Sequence, residues 1–395
     1  MNDTIRDVVF VDGVRTPFGK AGKLFEDTRA DDLIIRCIRT LLRRNPGLPP
    51  ERVDEVALAA TTQIGDQGLT LGRTAAILAG LPRSVPGYSI DRMCAGAMTA
   101  VTSVSSAIAA RQYDIAIAGG VESMSGHPMG EGVDPNPRII AEKLVDPEAL
   151  NMGNTAENLH DLYPQLTKER ADAYAVGTQQ RYAAAADKLA ADITTMAARS
   201  DEGWTVATAD ELPRPGTTME GLANLRTPFR VHGRVTAGTA SPLTDGATAC
   251  LLADAETAAE LGLPIAMKMI GFAFAGVDPE TMGIGPIPST EKALARAGLS
   301  IEDIGLIEIN EAYAVQVLAF LDHFKIADDD PRVNPWGGAI AMGHPLASSG
   351  VRLMTQLARE FAVHPEVRYG ITTMCVGLGQ GGTVIWENPN FKGAK

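Results

Sequence analysis

The sequence predicts an α/β fold made of two similar halves with a long loop region inserted between them. Three observations carry this expectation. Short Val/Ile/Ala-rich runs of strand length alternate with longer helical stretches, the pattern of layered α/β proteins with mostly parallel sheets. One order of motifs occurs twice: residues 48–63, 89–112 and 113–123 correspond to residues 299–316, 339–360 and 369–382. Between these halves the regular pattern gives way to turn-rich, arginine-bearing sequence. The predicted organisation is an N-terminal half at 1–122 completed by 246–270, an inserted loop domain at 123–245, and a C-terminal half at 271–395.

Each element can be justified from its own residues. "DEVALAA" and "DIGLIEI" are apolar runs of strand length behind an acidic residue, and read as buried strands. "CAGAMTAVTSVSSAIAA" is of helical length but almost free of large side chains, so it can lie close to neighbours on all sides and is expected at the centre of the molecule. "YDIAIAGG" and "YGITTMCV" close the two repeats as buried strands. Within the insertion, "TKERADAYAVGTQQRYAAAADKLA" reads as a helix carrying Lys, Arg and Gln on one face. The segments around it are irregular, and long loops on a rigid α/β scaffold commonly carry function.

Composition narrows the function classes. The 395-residue chain is 45% hydrophobic, enough for substantial cores, and its net charge of −13 argues against a nucleic-acid binder that neutralises phosphates. The N-terminal stretch lacks the basic-apolar-small pattern of a signal peptide, and no apolar run reaches the ~18 residues a bilayer span needs, so a cytoplasmic protein is expected. The four cysteines, Cys37, Cys94, Cys250 and Cys375, form no C-x-x-C pair, and no metal site is expected. Cys37 and Cys250 sit in apolar runs and read as small buried hydrophobes. Of the histidines, His127 stands in a loop worth attention, whereas His160, His232, His323 and His364 read as solvated surface.

Gly377, Gly379 and Gly382 match G-x-G-x-x-G, a spacing used to bind dinucleotides. The residues after Gly382 are strand-like and few, with no helix to receive a pyrophosphate, so a Gly-rich turn between two strands is the better reading. Cys94 and His344 stand at corresponding strand-to-helix turns of the two halves. A cysteine there meets the positive end of a helix dipole, which predicts a lowered thiol pKa, and a histidine from the matching turn can take its proton. "NEAYA" adds the amide of Asn310 at a strand end of the second half.

The chain resembles a thiolase from end to end. The blocks "VRTPFGK", "DRMCAGAMTAV", "AIAGGVESMS", "MGNTAEN", "TAGTASPLTDGA", "MGIGPIPS", "NEAYA", "GGAIAMGHPLASSGVR" and "CVGLGQGG" carry the resemblance, in family order. It implies a five-layered αβαβα fold, coenzyme A as co-substrate with no permanently bound cofactor, and a homodimer or a dimer of dimers. The implied reaction is thiolytic cleavage of a 3-oxoacyl-CoA, reversible as a Claisen condensation. Residue by residue, it implies that Cys94 is acylated, that His344 activates it, and that Cys375 is the acid/base. Asn310 would serve one oxyanion hole, and the N–H groups of Cys94 and Gly377 a second. Met152, Arg214, Phe229, Ala237, Ala240, Ser241 and Tyr313 match positions that line the family's CoA pocket.

The chain departs from the common pattern at "AGA" after Cys94, at Asn151, Gly221, Thr239, Pro242, Tyr313 and Ala347. These bear on chain length and CoA grip, not on the chemical residues. The absence of His at position 151 favours a degradative 3-oxoacyl-CoA thiolase over a biosynthetic acetoacetyl-CoA thiolase. A noncatalytic CoA-binding subunit of a β-oxidation complex is the alternative from another class.

Overall fold

A computed structural model, describing residues 5–200 and 203–393, turns the apolar runs into strands of one continuous mixed sheet. The first half supplies β1 (Val8–Arg15), β2 (Gly19–Lys20), α1 (Ala30–Arg44), β3 (Glu55–Ala59), α2 (Leu71–Ala79), β4 (Gly87–Ile90), α3 (Gly96–Ala109) and β5 (Ile115–Glu122). The insertion holds α4 (Arg138–Ala141), α5 (Met152–Leu162), α6 (Lys168–Leu189), the hairpin β6 (Met196–Ser200) and β7 (Gly203–Ala207), and α7 (Met219–Ala223). The chain returns through β8 (Thr244–Asp254), α8 (Ala255–Glu260) and β9 (Met267–Gly276). It ends with α9 (Pro286–Ala297), β10 (Ile304–Ile309), α10 (Ala314–Phe324), α11 (Ala339–Met342), α12 (Ser349–Val363), β11 (Tyr369–Val376) and β12 (Gln380–Glu387).

The strand order is β10-β11-β12-β9-β1-β8-β5-β3-β4, with β2 paired to β8. The two halves meet where β1 joins β9 over only two residue pairs, Val9–Lys268 and Phe10–Met267. The sheet thus folds as two half-sheets, and helices outside each and between them give five layers. On one outer face Leu33, Ile34 and Ile38 of α1 cover Ile117 and Leu251 of the first half's strands. On the other, Leu294 of α9 and Leu318 of α10 cover Ile307, Ile371 and Ile385. Between the sheets lie α3 and α12, whose Met98, Val101, Val351 and Met354 share one core with Phe10 and Trp386. The small-residue helix is therefore central, as expected. Gly350 makes the α12–α3 approach possible, since a Cβ there would stand 2.5 Å from the Met98 backbone nitrogen.

The expectation of mostly parallel sheets is corrected. Among the strand pairs of the described residues, only β3–β4, β3–β5 and β10–β11 are parallel. The middle of the sheet is antiparallel through β5–β8, β8–β1, β1–β9, β9–β12 and β12–β11. The glycine-rich stretch explains part of this. Val376 pairs with Gln380, so three residues turn the chain, far too few for a parallel crossover. Leu378 and Gly379 take φ of 60° and 76°, the left-handed conformation of a tight hairpin turn. No helix opens on these glycines, and the dinucleotide reading has no structural support. In the insertion, β8 begins at Thr244, and β9 runs across residue 270 within the second half's strands.

Candidate active site

Cys94 sits in a 3-10 turn, Met93–Ala95, between β4 and α3. The preceding Met93 holds φ of 45°, a strained value for a non-glycine residue, and its N–H donates to Asp91 Oδ1 at 2.6 Å. Arg92 is stacked over the Phe274 ring at 4.0 Å, which pins the turn from its other side. The chain is thus forced to present the thiol at the head of α3. The Gly377 N–H, from the β11–β12 turn, points at the Cys94 sulfur.

His344 occupies the corresponding turn ahead of α12. Its backbone N–H donates to Thr244 Oγ1 at 3.0 Å, and its Nδ1 lies 2.6 Å from Ser349 Oγ. Ser349 Oγ also reaches the Pro345 carbonyl at 3.1 Å. A hydroxyl has one proton to give, so both contacts are satisfied only if Ser349 donates to Pro345 and accepts from Nδ1–H. The Asn310 amide nitrogen, a donor, stands 3.3 Å from Nε2. Ser349 therefore selects the tautomer with the proton on Nδ1 and the lone pair on Nε2, while the Asn310 amide nitrogen, 3.5 Å from Nδ1 as well, lies beside the ring. Burial, and secondly the charge of Arg352, lower the His344 pKa to about 3, so the ring is a neutral base at pH 7.

Asn310 comes directly after β10, anchored by its N–H to the Thr373 carbonyl at 2.9 Å. Its Oδ1 accepts from Arg352 at 3.0 Å. Cys375 is buried on β11, opposite Gly381 of β12. Glu122, at the end of β5, accepts from the N–H groups of Thr61 and Ala347 at 3.2 and 3.1 Å and so ties the turn after His344 to the first half.

The structure brings Cys94, His344 and Cys375 to one cleft, about 420 Å³ with its open mouth included. Met152, Ser241 and Tyr313 line it too, with Met124, Met129, Met282, Ala312, Pro242, Leu243 and Leu346. Asn310 stands behind His344. Arg214 and Ala237 line a second cleft of about 460 Å³, which meets the first at Pro242. Phe229 packs edge-on to Tyr313 with ring centroids 6.4 Å apart, and Ala240 bridges to Tyr313 through the backbone. The residues matched to a CoA pocket thus form two groups, one beside the thiols and one in the adjoining cleft.

Two expectations about ionisation and burial are corrected. The helix end does not leave Cys94 with a lowered pKa; burial outweighs it and raises the pKa from 9.0 to about 12, against the pull of the Gly377 and Cys94 N–H groups. Cys375 is raised further, by burial and by Cys94 beside it. His160 is not solvated surface: it is buried in α5, with Nδ1 against the Leu166 carbonyl, and burial lowers its pKa. Cys37 and Cys250 are buried hydrophobes as expected. His127 bridges Asp66 and Glu131 at 2.6 and 3.1 Å. Sequence reasoning missed Ser349 and Arg352, although the quoted "HPLASSGVR" contains both. Their only signal was a place on the helix behind His344, at positions where polar residues would otherwise read as surface.

Comparison with known proteins gives the family. Family descriptions "Thiolase, N-terminal domain" and "Thiolase, C-terminal domain" match residues 8–256 and 263–388. A relative from Escherichia coli (strain K12), a 3-oxoadipyl-CoA/3-oxo-5,6-dehydrosuberyl-CoA thiolase, is 42% identical over 97% of this chain and 100% of its own. A 3-ketoacyl-CoA thiolase from Aliivibrio fischeri is 41% identical over 98% and 100%. Among solved structures, the Bacillus anthracis acetyl-CoA acetyltransferase superposes with a TM-score of 0.88 at 34% identity, over 98% of this chain and 100% of that one. Human mitochondrial 3-ketoacyl-CoA thiolase gives 0.87 at 33%, over 97% and 99%. The chain belongs to the thiolase family and is an acyl-CoA acyltransferase.

Proposed function

We propose that the protein cleaves 3-oxoacyl-CoA esters of apolar acyl chain, releasing acetyl-CoA and an acyl-CoA shortened by two carbons. The observation that carries this is the convergence of Cys94, His344 and Cys375 on one cleft walled by methionines. The Cys94 sulfur attacks the 3-oxo carbon while Nε2 of His344 takes the thiol proton. The N–H groups of Cys94 and Gly377 receive the oxyanion. The C2–C3 bond then breaks, its electron pair enters the acetyl-CoA enolate, and that enolate's oxygen is met by His344 Nε2–H and the Asn310 side. Cys375 protonates C2, and acetyl-CoA leaves. Incoming CoA gives its thiol proton to Cys375 and attacks the acyl-Cys94 thioester; the Cys94 sulfur leaves and takes its proton back from His344 Nε2, which restores both cysteines and the neutral ring. The reverse sequence is the Claisen condensation.

In this reading the segment 123–245 supplies the CoA wall through Met152, Arg214, Phe229, Ala237, Ala240 and Ser241, joined by Tyr313 from the second half. The halves are 1–122 with 246–270, and 271–395. The protein works in the cytoplasm as a homodimer or dimer of dimers, and among the described residues no helix is long and apolar enough to cross a membrane.

Met124, Met129, Met152 and Met282 give the cleft soft, adaptable walls suited to apolar chains of varied length. Lys and Arg are absent among the described residues that line it. An ω-carboxylate such as that of a 3-oxoadipyl chain would be desolvated there without a partner, at a cost of several kcal/mol. The test is kcat/KM over 3-oxoacyl-CoA chains of four to twelve carbons, with 3-oxoadipyl-CoA beside the six-carbon 3-oxohexanoyl-CoA. We expect turnover along the apolar series and at least about 100-fold discrimination against the carboxylate, equivalent to about 2.7 kcal/mol. Activity confined to four carbons would select the biosynthetic reading. No acyl group on Cys94 by mass spectrometry after acetoacetyl-CoA would select the noncatalytic one.

A further inference from the structure

Asn310 can serve the site as a donor only if its amide nitrogen faces His344, and nothing in the amide itself decides between its two ends. The decision is made behind it. Arg352 Nη2 stands 3.0 Å from Asn310 Oδ1, and Arg352 Nη1 is 3.3 Å from Glu308 Oε2. Gln356 Nε2 holds the other Glu308 oxygen at 3.0 Å and reaches the Gly337 carbonyl at 3.1 Å. Guanidinium is donor-only, so it accepts no other orientation of the amide than oxygen inward and nitrogen towards the ring. Arg352 and Glu308 are both buried, with side chains 1% and 0% exposed, and neither lines the cleft.

Three residues of α12 thus act along one stripe, at spacings of three and four. Ser349 holds His344 Nδ1, Arg352 holds Asn310, and Gln356 holds the carboxylate that orients Arg352. We propose that the buried Arg352–Glu308 pair is a positioning device for the reaction, holding Asn310 with its amide nitrogen towards His344. It rests on the role given to Asn310 above. Without it the amide is free to turn, and an acceptor would then face the place where enolate charge develops.

A buried ion pair can also be merely structural, so the test reads coupling to Asn310. The full-length variants Arg352→Met/Glu308→Gln, which removes both members of the pair together, Arg352→Lys, Asn310→Ala and their combinations are assayed for kcat and KM in acetoacetyl-CoA thiolysis. We expect the neutral double variant to lose at least about 10-fold in kcat with KM changed by less than about threefold. Adding Asn310→Ala to it should cost no more than about twofold beyond Asn310→Ala alone, because both remove one device. Arg352→Lys, which keeps a donor but not the fork, should recover part of the loss, and serves in the cycle if the double variant does not fold. Unchanged kcat, or losses that multiply with an impairing Asn310→Ala, overturns this inference alone. An Asn310→Ala variant of full activity overturns the role of Asn310 itself, and this inference with it.

Discussion

Removing one hydroxyl should slow the acylation of Cys94 without touching any residue that meets substrate. Ser349 Oγ is the acceptor for His344 Nδ1–H at 2.6 Å, and it donates onward to the Pro345 carbonyl at 3.1 Å. Ser349→Ala keeps the volume and the helix but leaves Nδ1–H buried without a partner. Such a donor costs about 1–3 kcal/mol. The ring escapes that cost by moving its proton to Nε2, where it would oppose the Asn310 amide at 3.3 Å and block the lone pair that deprotonates Cys94. At about 1.36 kcal/mol per tenfold, the ratio of the competent tautomer to the other falls by about 5- to 150-fold. The assay is rapid quench followed by mass spectrometry of Cys94 after mixing with acetoacetyl-CoA at pH 7, with the thermal midpoint as a control for folding. An acylation rate within twofold of wild type, in a variant of unchanged midpoint, would refute the assignment of the tautomer to Ser349.

Two further outcomes are expected from the same geometry. Cys375→Ser should still acquire an acyl group at Cys94 but stop exchanging the α-protons of acetyl-CoA with deuterated water; retained exchange would remove Cys375 from the acid/base role. His344 also makes the fold acid-sensitive. Its folded pKa, about 3, lies below its ordinary 6.5, so as pH falls the unfolded chain takes up the proton first. The stabilising contribution is whole above pH 6.5 and declines from there towards the folded value, by about 2 kcal/mol at pH 5. Urea unfolding of wild type and His344→Gln at pH 7 and 5 should show the larger loss in wild type, and equal losses would refute it.

The candidate residues that the structure gathers at one site were legible because the repeat places them. Cys94 and His344 begin corresponding helices, and Asn310 ends a strand of the second half, so a two-fold plan read from motif order brings them together. The features that were not legible depend on pairing and burial. The direction of β12 turns on a three-residue connection, and the glycines in it can also spell a nucleotide motif. The ionisation of the thiols depends on Met124, Met152 and Met282, which arrive from three separate segments to dry the cleft. Ser349 and Arg352 look like ordinary polar positions on a helix until that helix proves to be walled in by both sheets. His160 reads as surface because its helix is short and polar in sequence. The loop reaching Leu166 and the Arg234 guanidinium close over it only in three dimensions.

The raised thiols change how the helix end should be understood. A helix N-terminus is worth at most about 2 kcal/mol, or roughly one and a half pKa units. Burial lifts Cys94 by three units, from 9.0 to about 12, with the opposing N–H contacts already included. Desolvation therefore wins, and Cys94 is a thiol at pH 7. A preformed thiolate–imidazolium pair is also disfavoured from the other side, since His344 is buried and lies in the field of Arg352. The proton must then leave sulfur as the sulfur meets a carbonyl, when the negative charge can pass straight to an oxygen held by the Cys94 and Gly377 N–H groups. In a site of this kind the acidity of the thiol contributes little. On the proposed mechanism the step then depends on how His344 is held, by Ser349 at Nδ1 and beside an Asn310 amide that Arg352 orients.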